Sequence, residues 1–135
     1  MTLPTEIKKI QFPFGTLSEM SNGFLIYHFQ EDITLGENDI SAMITAHREL
    51  SNGTPRYVLV ETAARMNTTP AARKLDNTAD RRAITKAEAI IVNNIATRIA
   101  TKFYYSVMPP PYPYKIFKTT LEGYRWLSKM PERSQ

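Results

Sequence analysis

Three short apolar runs, Tyr57-Val58-Leu59-Val60, Ala87-Glu88-Ala89-Ile90-Ile91-Val92 and Tyr114-Lys115-Ile116-Phe117, recur along the chain, and a helix-like stretch separates each from the next. Runs this short with little alternation read as strands covered on both faces. Two strands joined by a single crossover helix favour parallel pairing, with the helix packed back over the sheet. This constraint selects an α/β architecture.

The intervening stretches carry helix signals. One runs from Pro70 to about Arg82, with proline at its first position. The next runs from Ile95 to Val107, where Ile95, Ile99, Phe103 and Val107 form an i, i+4 stripe. Ahead of them, Thr34-Leu35-Gly36-Glu37 has capping-box spacing and predicts a helix start. Ile40, Met43, Ile44, His47 and Leu50 then fall on one face, and Asn52-Gly53 supplies a left-handed stop. A second capping box, Thr119-Thr120-Leu121-Glu122, opens a last helix carrying Leu121, Trp126, Leu127 and Met130. At the N-terminus, Ile7 to Phe12 and Phe24 to Phe29, with a turn at Ser21-Asn22-Gly23, read as an opening hairpin. The predicted order is β-β-α-β-α-β-α-β-α. It describes one α/β domain over residues 1–135, core about 6–130, with a mixed, mostly parallel sheet of about five strands and four helices.

At 135 residues, 42% hydrophobic and 22% charged, the chain can fold on its own core. It has no cysteine, which excludes disulfides, thiolate metal sites and cysteine nucleophiles. Neither a signal peptide nor an apolar run of transmembrane length is present, so a soluble, cytoplasmic protein without membrane insertion is expected. Net charge is +4 with pI ≈ 9.4. Part of the excess lies among Arg65, Arg73, Lys74, Arg81, Arg82 and Lys86, where Asp76 and Asp80 interrupt the run, so a solvated basic helix face is expected. Nucleic-acid binding rests on the pI alone, since no RNP-like motif accompanies the tyrosines.

The element order resembles the STAS, or anti-sigma-factor-antagonist (SpoIIAA-like), superfamily. The resemblance is sharper to an uncharacterised bacterial subgroup of STAS-like and SEC14-like domains, from Gly23 to about Leu127. It rests on Gly23-Phe24-Leu25, Arg56-Tyr57-Val58-Leu59-Val60, Ala71-Ala72-Arg73, Lys86 to Val92, Pro113-Tyr114-Lys115-Ile116-Phe117 and Glu122-Gly123-Tyr124-Arg125-Trp126-Leu127. The resemblance implies a four- or five-stranded sheet with four helices. Regulatory STAS proteins place a phosphorylatable serine at the start of the second helix in an Asp-Ser-Ser-Gly motif. Here the equivalent stretch is Met66-Asn67-Thr68-Thr69-Pro70-Ala71-Ala72-Arg73, with threonines but neither that aspartate nor that glycine. Thr68 or Thr69 beside Arg73 would suit a phosphate or a partner contact, while a threonine before proline equally suits ordinary N-capping.

The remaining candidates are few. His28 and His47 could approach across a strand-helix interface, but no metal-ligand spacing is present, and each fits a hydrogen-bonded packing role. Glu61 follows a strand at the end where open α/β sheets place ligands, and pairing with Arg65 is its simpler role. No nucleophile elbow occurs, and none of the five glycines is spaced as Gly-x-Gly. The most distinctive stretch, Phe103 to Tyr114, packs four prolines and four tyrosines, Tyr104, Tyr105, Tyr112 and Tyr114, into twelve positions. Such a loop suits a protein interface or the rim of an apolar pocket, or simply ends one helix and leads into the last strand. The sequence therefore predicts a non-enzymatic domain without a cofactor, associating with an unknown protein partner in bacterial regulation and capable of homodimerising. A small apolar-ligand or lipid carrier of SEC14-like type is the alternative, and a nucleic-acid-binding module the third. A cavity of a few hundred Å³ would favour the carrier, and buried polar groups with perturbed pKa values in a pocket would count against simple association.

Overall fold

In the computed structural model, residues 4–76 and 79–130 are described. The strands are β1 (Glu6–Phe12), β2 (Gly15–Met20), β3 (Leu25–Phe29), β4 (Thr34–Leu35), β5 (Arg56–Glu61), β6 (Asn67–Thr68), β7 (Thr85–Ile91) and β8 (Tyr114–Phe117). The helices are α1 (Glu37–Ser51), α2 (Pro70–Asp76), α3 (Ala79–Ile84), α4 (Ile95–Val107) and α5 (Thr120–Ser128). Six strands form one mixed sheet in the order β1-β2-β3-β5-β7-β8, and β4 pairs with β6 in a small second sheet. The pairs β3–β5, β5–β7 and β7–β8 are parallel, as the three apolar runs require. The four predicted helices are present, the second as α2 and α3 on either side of residues 77–78.

Two local readings are corrected. The opening is a three-stranded antiparallel meander rather than a hairpin, because the chain turns twice, at Pro13-Phe14 and again after Met20. Gly15 makes the β2–β3 pairing possible: a β-carbon there would sit 2.2 Å from the His28 carbonyl oxygen, so only glycine lets β2 close on β3. Helix α1 starts at Gly36, not Thr34. The Asp39 carboxylate accepts the Gly36 N–H at 2.8 Å, while Thr34 and Leu35 are drawn into pairing with β6. The other caps follow the sequence: Asn52 takes the left-handed conformation (φ 52°), and Thr119 and Glu122 satisfy each other's amides at α5.

Alternation along the strands divides the core between the two faces of the sheet. Leu17, Leu25, Tyr27 and Val58 meet Ile40, Met43, Ile44 and Leu50 of α1, while Leu59, Ala87, Ala89 and Ile91 meet Leu127 of α5. Each Leu, Ile, Val and Met side chain among them contributes about 1.5–3 kcal/mol when fully buried. Gly123 lets α5 seat closely, since a β-carbon there would lie 2.6 Å from Ile91 Cδ1.

Helix α4 behaves differently. None of its residues is buried, and its apolar stripe faces outward, with Ile95, Ile99, Phe103 and Val107 exposed by 64–71%. It is capped by Asn94, whose side chain accepts the Thr97 amide at 2.9 Å. Its inner side leaves space above the sheet instead of closing on it.

Candidate functional site

That space is a cavity of about 240 Å³. Phe29, Leu35, Ile40, Val60, Met66 and Ile90 supply apolar wall, and Thr97, Ala100, Thr101, Tyr104 and Tyr105 of α4 form the side opposite the sheet. Polar side chains gather at one end: Arg73 and Asp76 from α2, Arg81 from α3, Glu88 from β7 and Tyr27 from β3.

Arg81 corrects the expectation of a solvated basic face, because it is only 2% exposed. Its Nη2 donates to Glu88 Oε2 at 3.0 Å and its Nη1 to the Tyr27 hydroxyl at 3.3 Å, while Nε faces Asp76 Oδ1 at 3.5 Å. Taking a guanidinium out of water is costly, and the two carboxylates and the phenol around it are what make the position tenable. The network continues into the core. His47 Nε2 lies 3.0 Å from the Ile84 carbonyl, which can only accept, so Nε2 carries the proton. Nδ1 is then the acceptor for the Tyr27 hydroxyl at 3.1 Å, and the chain runs Arg81 to Tyr27 to His47 to the backbone.

Burial sets the protonation of these groups. The Glu88 carboxyl is pushed up to about 7 by desolvation, which the Arg81 charge only partly offsets. Desolvation, helped by the Arg81 charge, lowers His47 to about 3, so its imidazole is neutral at ordinary pH. The buried Tyr27 phenol is raised to about 12, chiefly by desolvation, and keeps its proton.

The sequence-predicted residues distribute around this cavity. Arg73 lines it with its guanidinium 4.8 Å over the Tyr104 ring. Tyr105 lines it too, and its ring meets that of Tyr114 edge-on at 5.2 Å. The Tyr114 hydroxyl donates to the Tyr105 carbonyl at 3.3 Å, tying β8 to α4. Tyr112 faces Glu88 and Arg81 from the proline loop. Thr68 lines the cavity, while Thr69 caps α2 by accepting the Ala72 N–H at 3.2 Å. The histidines are not brought together: His28 lies exposed on β3 with Nδ1 2.7 Å from Glu61, and His47 is buried on α1. Glu61 bonds to His28 and Thr120 rather than to Arg65, which pairs with Glu31 and Asp32. Among the described residues, no group of three or more His, Cys, Asp or Glu side chains could hold a metal ion.

Tyr27, Asp76, Arg81 and Glu88 were not singled out as site residues from the sequence. The available signal was Glu88 itself, a carboxylate in the middle of Ala87-Glu88-Ala89-Ile90-Ile91, where a strand covered on both faces requires any charge to be paired.

The comparisons with known proteins agree with the architecture. Residues 18–131 match a family model described as Domain of unknown function (DUF7793). A crystal structure of an uncharacterised protein of the DUF3478 family, with a SpoIIAA-like fold, from Shewanella loihica PV-4 aligns over 94% of this chain and 97% of that one. The TM-score is 0.57 at 18% identity, so the likeness shows the fold alone. No curated protein matches.

Proposed function

We propose, from the premise that this chain belongs to the DUF7793 family of domains of unknown function, that it binds a small, largely apolar molecule in the cavity between α4 and the sheet. The single observation that carries this reading is a helix with no buried residue standing over an apolar-walled cavity that ends in a buried ionic network. Helices of ordinary α/β domains close on their sheet, and a space left between them, apolar with a few convergent polar groups, is the usual form of a ligand site. We take the activity to be binding rather than chemistry, because both acids of the network are engaged by Arg81 and His47 holds its proton on the side of a backbone carbonyl.

The test is titration with a neutral apolar dye, N-phenyl-1-naphthylamine, whose fluorescence rises on entering an apolar site. Thr101→Phe, which places a ring into the cavity from α4, is expected to weaken dye binding at least tenfold with little change in unfolding midpoint. Equal binding by the variant would remove the reading.

A second reading, association with another protein, is favoured by the outward stripe of α4. Arg98 and Lys102 lie between its apolar positions, and the helix carries no acidic residue, so two copies would oppose like charges and an apolar segment flanked by acids is the better fit. Ile99→Asp is expected to abolish capture of such an acidic amphipathic peptide while leaving dye binding intact. Binding of the wild-type protein to anionic vesicles but not to the peptide would reassign the stripe to a lipid surface.

A further inference from the structure

The charges around the cavity are unevenly committed. Asp76 and Glu88 both face Arg81, at 3.5 and 3.0 Å. Arg73, on the same wall, is half-buried, and among the described residues no carboxylate lies within ion-pair distance and no side-chain acceptor takes its N–H groups. Its guanidinium carbon instead lies over the Tyr104 ring, 4.8 Å from the centroid. A cation–π contact is made through the charge over the ring and leaves the fork of N–H donors of the guanidinium available to another partner. That fork matches the two oxygens of a carboxylate or phosphate. A second polar atom at the same end lacks a hydrogen bond as well: Arg81 Nε, on a side chain only 3% exposed, meets Asp76 at ion-pair distance but without a hydrogen bond.

We propose that the molecule taken by this cavity is an amphiphilic anion, a carboxylate or phosphate monoester on a short hydrocarbon or aryl body, whose head is held by Arg73 at the α2–α4 end. The proposal rests on the ligand-binding reading above and assigns its chemical class. The body lies along Phe29, Val60, Met66 and Ile90, and the cavity of about 240 Å³ limits it to something smaller than the occupants of pockets of about 300–1,000 Å³ that take drug-sized ligands. A cation is disfavoured because Asp76 and Glu88, the acids on this wall, are already paired with Arg81. A neutral alcohol would satisfy only one donor of the fork.

The experiment is calorimetric titration of the full chain with decanoate, decyl phosphate and decanol. Both anions are expected to bind at least tenfold more tightly than decanol, with decanoate and decyl phosphate distinguishing the two heads. Arg73→Gln keeps the polar, roughly planar end of the side chain and is expected to abolish that preference, so that the two anions and decanol bind the variant within twofold of one another. Equal affinity for anions and alcohol in the wild type, or an undiminished preference in Arg73→Gln, overturns the assignment and leaves the cavity a neutral apolar site. Failure of all three probes to bind, together with failure of the dye, removes the underlying reading instead.

Discussion

Replacing Arg81 by alanine is expected to lower unfolding free energy by about 3–5 kcal/mol, read as a reduced urea midpoint at unchanged m. The magnitude comes from what is left behind. Glu88 is 4% exposed and its ion-pair partner is the guanidinium, so the truncation leaves an acid with only the Tyr112 hydrogen bond in a space that water does not reach. The Tyr27 hydroxyl loses a donor in the same step, although its bond to His47 survives. Against a total stability of about 5–15 kcal/mol for a domain, the loss is a large fraction. Should Arg81→Ala fail to fold, Arg81→Lys keeps the charge without the fork and is expected to fold with a smaller loss.

The physical argument makes a sharper claim about the double variant. If the cost is that of an unpaired buried acid, Arg81→Met with Glu88→Leu is expected to be more stable than Arg81→Ala by at least about 1 kcal/mol, because no charge is stranded in the interior. Asp76 does not spoil the comparison, since it loses the guanidinium equally in both variants. Lys74→Ala on the exposed side of α2 serves as a control and is expected to stay within about 0.5 kcal/mol. A single variant no worse than that control would show that the pair does not hold α3 to the sheet.

Stability is expected to be nearly flat between about pH 4.5 and 6.5 as far as Glu88 and His47 are concerned, and to fall on both sides. The folded pKa of Glu88 is raised from 4.5 to about 7, so its contribution is fully present below 4.5 and is lost as pH rises through 7. The folded pKa of His47 is depressed from 6.5 to about 3, so its contribution is present above 6.5 and is lost as pH falls through 3. Between 4.5 and 6.5 each state binds one proton on this pair, the folded chain on Glu88 and the unfolded chain on the histidine, and the slopes cancel. Below 4.5 the acid limb has a slope of about 1.4 kcal/mol per pH unit. Glu88 is faced by Arg81 of α3, Asp76 of α2, Tyr27 of β3, Tyr105 of α4 and Tyr112 of the proline loop, so its titration reports on the whole end of the cavity.

Removing one member unmasks the other. Glu88→Gln is expected to convert the plateau into a rise extending from about pH 3 to 6.5, worth on the order of 5 kcal/mol over the window. Urea midpoints at half-unit pH intervals measure it. A profile of the same shape in Glu88→Gln and wild type would mean that Glu88 does not titrate in the cavity as its burial requires.

Much of the fold could be read from the sequence because local patterns and tertiary demands agree. The runs at Val58, Ile90 and Ile116 became parallel strands, and the face from Ile40 to Leu50 became the buried face of α1, since periodicity reports burial wherever an element is covered. The capping pair Thr119 and Glu122 depends on residues three apart and could be read directly. Thr34 and Glu37 have the same spacing and do not cap, because Thr34 and Leu35 pair with β6, more than thirty positions away in the chain. The meander was missed for a related reason: what lets β2 lie against β3 is the absence of a side chain at Gly15, and the His28 carbonyl that demands it is met only once β3 is in place.

The site was legible only in parts. Thr68, Arg73, Tyr104 and Tyr105 could be named from their segments, and they do line one cavity, but nothing in those segments says that they meet. The sequence by itself determined the parallel pairing of the three apolar runs, the crossover helices and an amphipathic α4. Only the tertiary structure decided that the apolar stripe of α4 faces away from the sheet, that Arg81 lies inside rather than on a solvated face, and that a cavity remains between them. The physical reason is one of range. Periodicity and capping are set by neighbours a few residues apart, whereas the burial of a charge depends on whether Glu88, Asp76 and Tyr27, from three separate elements, converge on it.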